Sequence, residues 1–163
     1  MKKIFAGRYV TDAKTDFVLF IIGMRVNNLL AFRKWIPVAK AMGPMIKELY
    51  QNPELGFIHT EVSLSWRGVT LIQYWRSFED LEAYAHGRIH MRAWTRFNKK
   101  TKGNDAVGIF HETYRIEKGS TEGIYVNMPK TGLAHVTTHE PVTKEMNTSR
   151  MRLKKKKKRE SQN

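Results

Sequence analysis

The chain is predicted to be an α+β protein, a ferredoxin-like βαββαβ sheet with extra short strands, and three observations predict it. Apolar residues switch between a period of two and a helical period along the chain in the order (β)βαββαβ(β). The strands look apolar on both faces, so helices on one side of the sheet leave a second face to cover. The length of 163 residues, with 41% apolar and 11% aromatic side chains, suits one domain with a substantial core. Sheet-to-sheet packing of two copies, a dimeric α+β barrel, would bury the open face. The folded domain is expected over residues 5–135, and a polar to basic disordered tail over 136–163.

Residues 5–10 read as a short edge strand, weakened by Gly7. Residues 16–26, D-F-V-L-F-I-I-G-M-R-V, are β-branched, aromatic and almost continuously apolar, which suits a central strand. Asn27 and Asn28 offer capping oxygens before a run in which Leu29, Leu30, Phe32, Trp35, Ile36 and Ala39 recur at helical spacing. Pro37 removes one backbone bond and Gly43-Pro44 predicts a break, so a kinked or two-part helix is expected up to residue 51.

A strand over residues 55–66 is expected to place Ile58, Thr60, Val62, Leu64 and Trp66 on one face and Phe57, His59, Glu61 and Ser63 on the other. Arg67-Gly68 turns the chain into its partner strand. Ser77-Phe78-Glu79-Asp80 is a capping-box pattern that opens a helix to about residue 100, with Gly87 as a weak point. Strands follow over 106–116 and 123–128, and from residue 130 onward the chain reads as irregular.

Composition excludes several kinds of chemistry. The chain has no cysteine, so disulfides, thiolate metal sites and cysteine nucleophiles are out. No phosphate loop, G-x-S-x-G elbow or dinucleotide-binding glycine pattern occurs. Formal charge is +14; without residues 150–163 it is still +7, from 21 basic and 14 acidic side chains. Such a field favours an anionic ligand or surface. Nucleic acid is not the expected partner, because the basic tail has no interleaved aromatic residues. The start has no secretory h-region and the longest apolar run, 17–23, is too short to span a bilayer as a helix, which predicts a cytoplasmic protein without a membrane partner.

Chemistry is expected in residues 73–114. Helical projection sets Phe78, Leu81, Ala85 and Ile89 on one stripe and His86, His90, Trp94 and Phe97 on the next. The two histidines lack the intervening glutamate of a zincin, so a shared divalent ion is not expected. A single imidazole there can instead ligate haem iron, or both histidines can be helix residues without a ligand. His111 sits in a strand, as a general acid/base or as a hydrogen-bonded structural residue. Trp75, Trp94 and Tyr114 are core residues first and pocket lining second.

The blocks F-x-x-x-x-I-G-M-R-V-N from Phe17, W-I-P-V-A-K-A-M from Trp35, Q-Y-W-R-S-F-E-D-L-E-A-Y-A-H from Gln73, H-E-T-Y from His111 and I-Y-V-N-M-P from Ile124 resemble a bacterial and fungal family grouped with monooxygenases. W-R-S-F-E-D-L-E-A-Y-A-H-G-R-I-H is also similar to spheroidene monooxygenases, which are haem proteins. These resemblances imply a dimeric α+β barrel and a monooxygenase-like oxidoreductase acting on a small apolar or aromatic molecule. With haem, His90 becomes the iron ligand, Trp75, Trp94 and Tyr114 line the cofactor pocket, and His111 steers oxygen or substrate. Without a cofactor, His111 or His86 is the base and Arg25 or Asn127 the oxyanion partner. The rival reading is a non-enzymatic dimer that binds haem or another small molecule, its histidines merely satisfying core hydrogen bonds.

Overall fold

In a computed structural model of the chain, the structure describes residues 2–102 and 105–153, with the side chains of all but residues 100 and 101. The described residues form two compact units, one running from Val18 to Tyr114 and the other combining residues 2–17 with residues 115–153.

The first unit is built from β2 (Phe17–Val26), α1 (Phe32–Gln51), β3 (Phe57–Ser65), β4 (Gly68–Trp75), α2 (Phe78–Ala85), α3 (Arg88–Thr101) and β5 (Val107–Ile116), the strand preceding it being β1 (Phe5–Asp12). Its sheet has the order β3-β4-β2-β5, so the βαββαβ topology is ferredoxin-like and β2 is central, as its apolar run predicts. Antiparallel register pairs Val18 with Trp75, Phe20 with Gln73, Ile22 with Leu71 and Met24 with Val69, which sets all eight on one face. Helices pack on that face. One core cluster joins Val18, Leu49, Phe57, Trp75 and Leu81, and a second joins Met24, Val26, Val38 and Val107. Trp75 is completely buried, and each such side chain contributes on the order of 1.5–3 kcal/mol.

Three local expectations change. Helix α1 runs unbroken through Pro37 and Pro44 instead of splitting at Gly43-Pro44. Buried Val38, with Trp35, Ala39 and Met42 packed in its cluster, and buried Leu49 in the other cluster hold the helix where propensity alone would end it. Neither asparagine caps it: Asn28 Oδ1 accepts the Leu30 N–H at 3.0 Å, and the helix starts after Ala31. In β3 an irregularity between Phe57 and His59 breaks the alternation, so Phe57 and Thr60 share the helix-covered face and are both buried. Val62 and Leu64 follow on that face, but β3 is an edge strand and Leu64 is 81% exposed.

The Ser77 cap forms as expected: its Oγ accepts the Asp80 N–H at 3.1 Å. Arg76 clamps Asp80 with bonds of 2.8 and 2.9 Å and so holds its carboxyl below the usual range. The helix then breaks at Gly87, which becomes the N-cap of α3.

The second unit is a three-stranded sheet with the order β6 (Gly123–Met128), β1, β7 (Thr138–Pro141). β1 is therefore its central strand rather than an edge. Gly7, at φ +89°, marks a register shift, and its N–H donates to Asn127 Oδ1 at 2.8 Å. Residues after 130 are more regular than their composition suggests, with 3-10 turns at Gly132–His135 and Lys144–Met146 flanking β7. Buried Arg152 is paired with Glu122 and donates to the Met146 carbonyl at 2.9 Å. The part of the expected disordered tail over residues 154–163 lies outside the described residues. Among the described residues no helix is long and apolar enough to cross a membrane.

Candidate functional site

The first unit has a cavity of about 890 Å³, open to solvent on one side, between its helices and the covered sheet face. That volume falls within the roughly 300–1,000 Å³ typical of small-molecule and cofactor sites. Apolar side chains make most of the wall, with Phe20, Met24 and Leu71 from the sheet and Met42, Leu81 and Phe97 from the helices. Pro37 and Pro44 of α1 also line it.

Three histidines reach this wall: His86, His90 and His111. The break at Gly87 determines the chemistry of the second. α2 ends at Ala85, so the Ala85 carbonyl is one of the orphan acceptors of a helix C-terminus. His90 Nδ1 lies 2.7 Å from it. A carbonyl can only accept, so Nδ1 carries a proton, and in the neutral ring the free lone pair is on Nε2. His90 is half-buried, with its ring 5.9 Å from that of Tyr84. His86 has the same tautomer, its Nδ1 donating to the Glu82 carbonyl at 2.9 Å, but is exposed at the end of α2. His111 stands on edge strand β5 with its ring 5.6 Å from Phe20.

The aromatic residues divide by depth. Trp75 closes the buried end, its Nε1–H donating to Gln73 Oε1 at 3.2 Å. Trp94 is exposed on one side and stacks on Phe97 with ring centroids 5.6 Å apart. Tyr84 ties α2 to α1 by donating to Glu48 Oε2 at 3.2 Å and to the Met45 carbonyl at 3.4 Å. Burial first, then the Glu48 charge, pushes the Tyr84 hydroxyl well above its ordinary pKa, so it remains a protonated donor.

The structure thus brings together His86, His90, His111, Trp75 and Trp94 of the predicted residues. It does not bring in the other three. Arg25 pairs with Gly68 and alternates with wall residue Met24, so it lies on the opposite sheet face. Tyr114 alternates with wall residue Thr113 and donates to Glu112 at 2.7 Å, a bond that raises its pKa. Asn127 belongs to the other unit, where its side chain accepts the Gly7 N–H. Sequence reasoning missed Tyr84, Lys40, Arg92 and Arg96 of the wall. The arginines had a legible signal, since Arg88, Arg92 and Arg96 recur every four residues in a helix without an acid.

The donor set suits a cofactor that needs one protein ligand. Nε2 of His90 would supply that ligand, with the ring oriented through its Nδ1 bond, in a largely apolar cavity of a volume that would admit haem. Among the described residues no group of three histidine or carboxylate ligands gathers at this cavity, so it does not suit a bare metal ion.

Comparison with known proteins adds three likenesses. Monooxygenase af470 of Aspergillus fumigatus is 30% identical over 127 residues, which is 70% of this chain and 44% of the relative; the chain therefore spans less than half of that protein. An aldoxime dehydratase crystallised with butyraldoxime superposes with a TM-score of 0.66 at 18% identity, over 87% of this chain and 44% of that one. A second aldoxime dehydratase structure gives 0.66 at 19% identity, over 88% and 45%. At such identity the structural likeness is one of fold. Residues 17–133, which include the whole cavity wall, match the monooxygenase af470-like family, and the chain belongs to that family.

Proposed function

We propose that the cavity is the active site of a monooxygenase-like oxidoreductase that accepts a small apolar or aromatic molecule, holds haem on His90, and works as a homodimer. The observation that carries this reading is the 2.7 Å bond from His90 Nδ1 to the Ala85 carbonyl in the wall of an 890 Å³ apolar cavity. That bond fixes the tautomer, sets the ring orientation and makes Nε2 a better ligand. Family membership over residues 17–133 supports the chemistry.

Haem bound there supplies the oxygen and one-electron chemistry that the side chains of this chain cannot. Everything else is done by residues already in place. Trp75, Phe20 and Leu71 form a floor that excludes water and receives an apolar substrate. Trp94 and Phe97, stacked on α3, give a flat wall against which a ring can lie. His111, on the strand across the cavity, holds or delivers a proton to substrate. On the opposite sheet face the Phe110 ring packs over Gly23 and is 46% exposed, and Tyr114 further along the same strand is 45% exposed; a second copy would cover them.

Titration of purified protein with haemin tests the site. The expected result is a sharpened, shifted Soret band at one equivalent, lost in His90→Ala and kept in His111→Ala. A titration that leaves free-haemin spectra, or a band unchanged by His90→Ala, would overturn the assignment.

A further inference from the structure

Helix α3 reads R-I-H-M-R-A-W-T-R-F-N-K-K-T, five basic residues and no acid. Arg88, Arg92 and Arg96 follow at four-residue spacing, a like-charge arrangement that works against the helix unless an anion offsets it. Arg92 and Arg96 also line the cavity, and Lys40 of α1 lines it from the helix packed against α3. All three are exposed residues as well as wall residues, which places them at the solvent-facing border of the cavity. Among the described residues none of the three forms an ion pair. Among the described residues Glu82 is the one acidic residue in the wall.

An apolar chamber with a cationic border is complementary to a molecule with an apolar body and an anionic end. Arginine is suited to that end, because its guanidinium fork matches a carboxylate with two parallel hydrogen bonds while its stem packs along apolar surface. At the edge of a low-dielectric cavity the attraction is stronger than on an open surface. We infer that Lys40, Arg92 and Arg96 form a carboxylate-recognising mouth, and that the cavity takes an amphipathic acid, an apolar body with one or two carboxylates. This rests on the reading of the cavity as the ligand site, but not on haem being the ligand. The carboxylate has two sources, the propionates of haem or a free-acid substrate, and the chemistry at the mouth is the same for both.

Acid and ester forms of the same probe separate these sources on the full native chain. Haemin is compared with its dimethyl ester by Soret titration, and cis-parinaric acid with its methyl ester by fluorescence. Native protein is expected to prefer the acid of at least one pair by about tenfold or more, as charge-assisted pairing implies. In Arg92→Gln/Arg96→Gln that preference should fall to within about twofold, while thermal melting stays unchanged. If haemin discrimination collapses and the His90-dependent Soret band persists, the mouth holds propionates. If haemin does not bind at all but cis-parinaric acid shows the arginine-dependent preference, the haem reading fails and the mouth stands, reading a free acid. Equal binding of acid and ester to native protein in both pairs overturns the inference, and that comparison needs no variant that could misfold. A preference unchanged in the folded double variant overturns it too. So does salt-sensitive binding to duplex DNA with no acid-over-ester preference, which would make the stripe a polyanion surface.

Discussion

Both ring nitrogens of His139 are buried without a hydrogen-bond partner among the described residues. The imidazole instead stacks on Tyr9, with centroids 4.6 Å apart and planes 13° apart, and meets Phe5 and Tyr125 edge-on at 4.8 and 5.7 Å. Burial, then the Lys130 charge, holds its pKa below the ordinary 6.5. In the unfolded chain it protonates at the ordinary value, so the unfolded state binds more protons between 6.5 and the lowered folded value. The stability this residue contributes is complete above that window and is lost as pH falls through it. His139→Phe keeps the aromatic packing and removes the titration. Thermal melts from pH 8 to 5 should therefore show native protein losing stability on the acid side faster than the variant; parallel profiles would contradict this. Legibility at this scale depended on whether a residue's role is carried by its own type or by its surroundings. His90 was visible through a motif, but its tautomer was not, because the Ala85 carbonyl is freed only by the folded helix break. Arg25 and Tyr114 had suitable chemistry, yet strand register turned both away from the cavity. Arg92 and Arg96 went unnoticed because a charge run on a helix reads as a solvated face until the wall is seen.

Elements were readable where one local signal dominated. The Ser77 cap and the apolar run of β2 formed as read, while the hairpin turn falls one residue earlier than read, at Trp66-Arg67, with Gly68 already paired to Ser65. They misled where tertiary packing outweighed local preference, as in α1, whose two prolines sit inside a continuous helix facing the cavity. The irregularity in β3 has no sequence mark and reversed the face assignment of Phe57. Gly87 lies between these cases: its low helix propensity was legible, but not that the break frees the carbonyl to which His90 donates. A Cβ at Gly87 would sit 2.9 Å from the Tyr84 carbonyl oxygen, closer than real contacts allow, so Gly87→Ala must shift the α2–α3 junction. His90 takes its hydrogen bond across that junction. The expected result is a haemin affinity reduced by about tenfold with near-native helix content by circular dichroism, the size of effect seen when a ligand's supporting bond is lost. Unchanged affinity would show that His90 is held by its ring packing and not by the Ala85 carbonyl.

At the scale of the molecule, the order of elements was enough to give the four-stranded sheet, since its strands follow one another closely along the chain. The second sheet was not accessible in this way. It pairs Phe5 with Met128 and Tyr9 with Pro141, contacts between distant segments that no local pattern announces. A ferredoxin-like unit places its helices on one side, and here the other side carries Phe110 and Tyr114, both nearly half exposed, with the Phe110 ring lying over the bare backbone of Gly23. An aromatic patch on a sheet is costly in water, and a two-fold related copy can bury it against itself. Light scattering of the eluted protein is expected to give twice 19.1 kDa at micromolar concentration. Phe110→Glu places two like charges at such a self-complementary contact and should shift the mass to that of the monomer, while the haemin Soret band, which depends on the other face, is retained. A native chain that elutes as a monomer at every concentration, or a Phe110→Glu variant that stays dimeric, would show that this face is not where two copies meet.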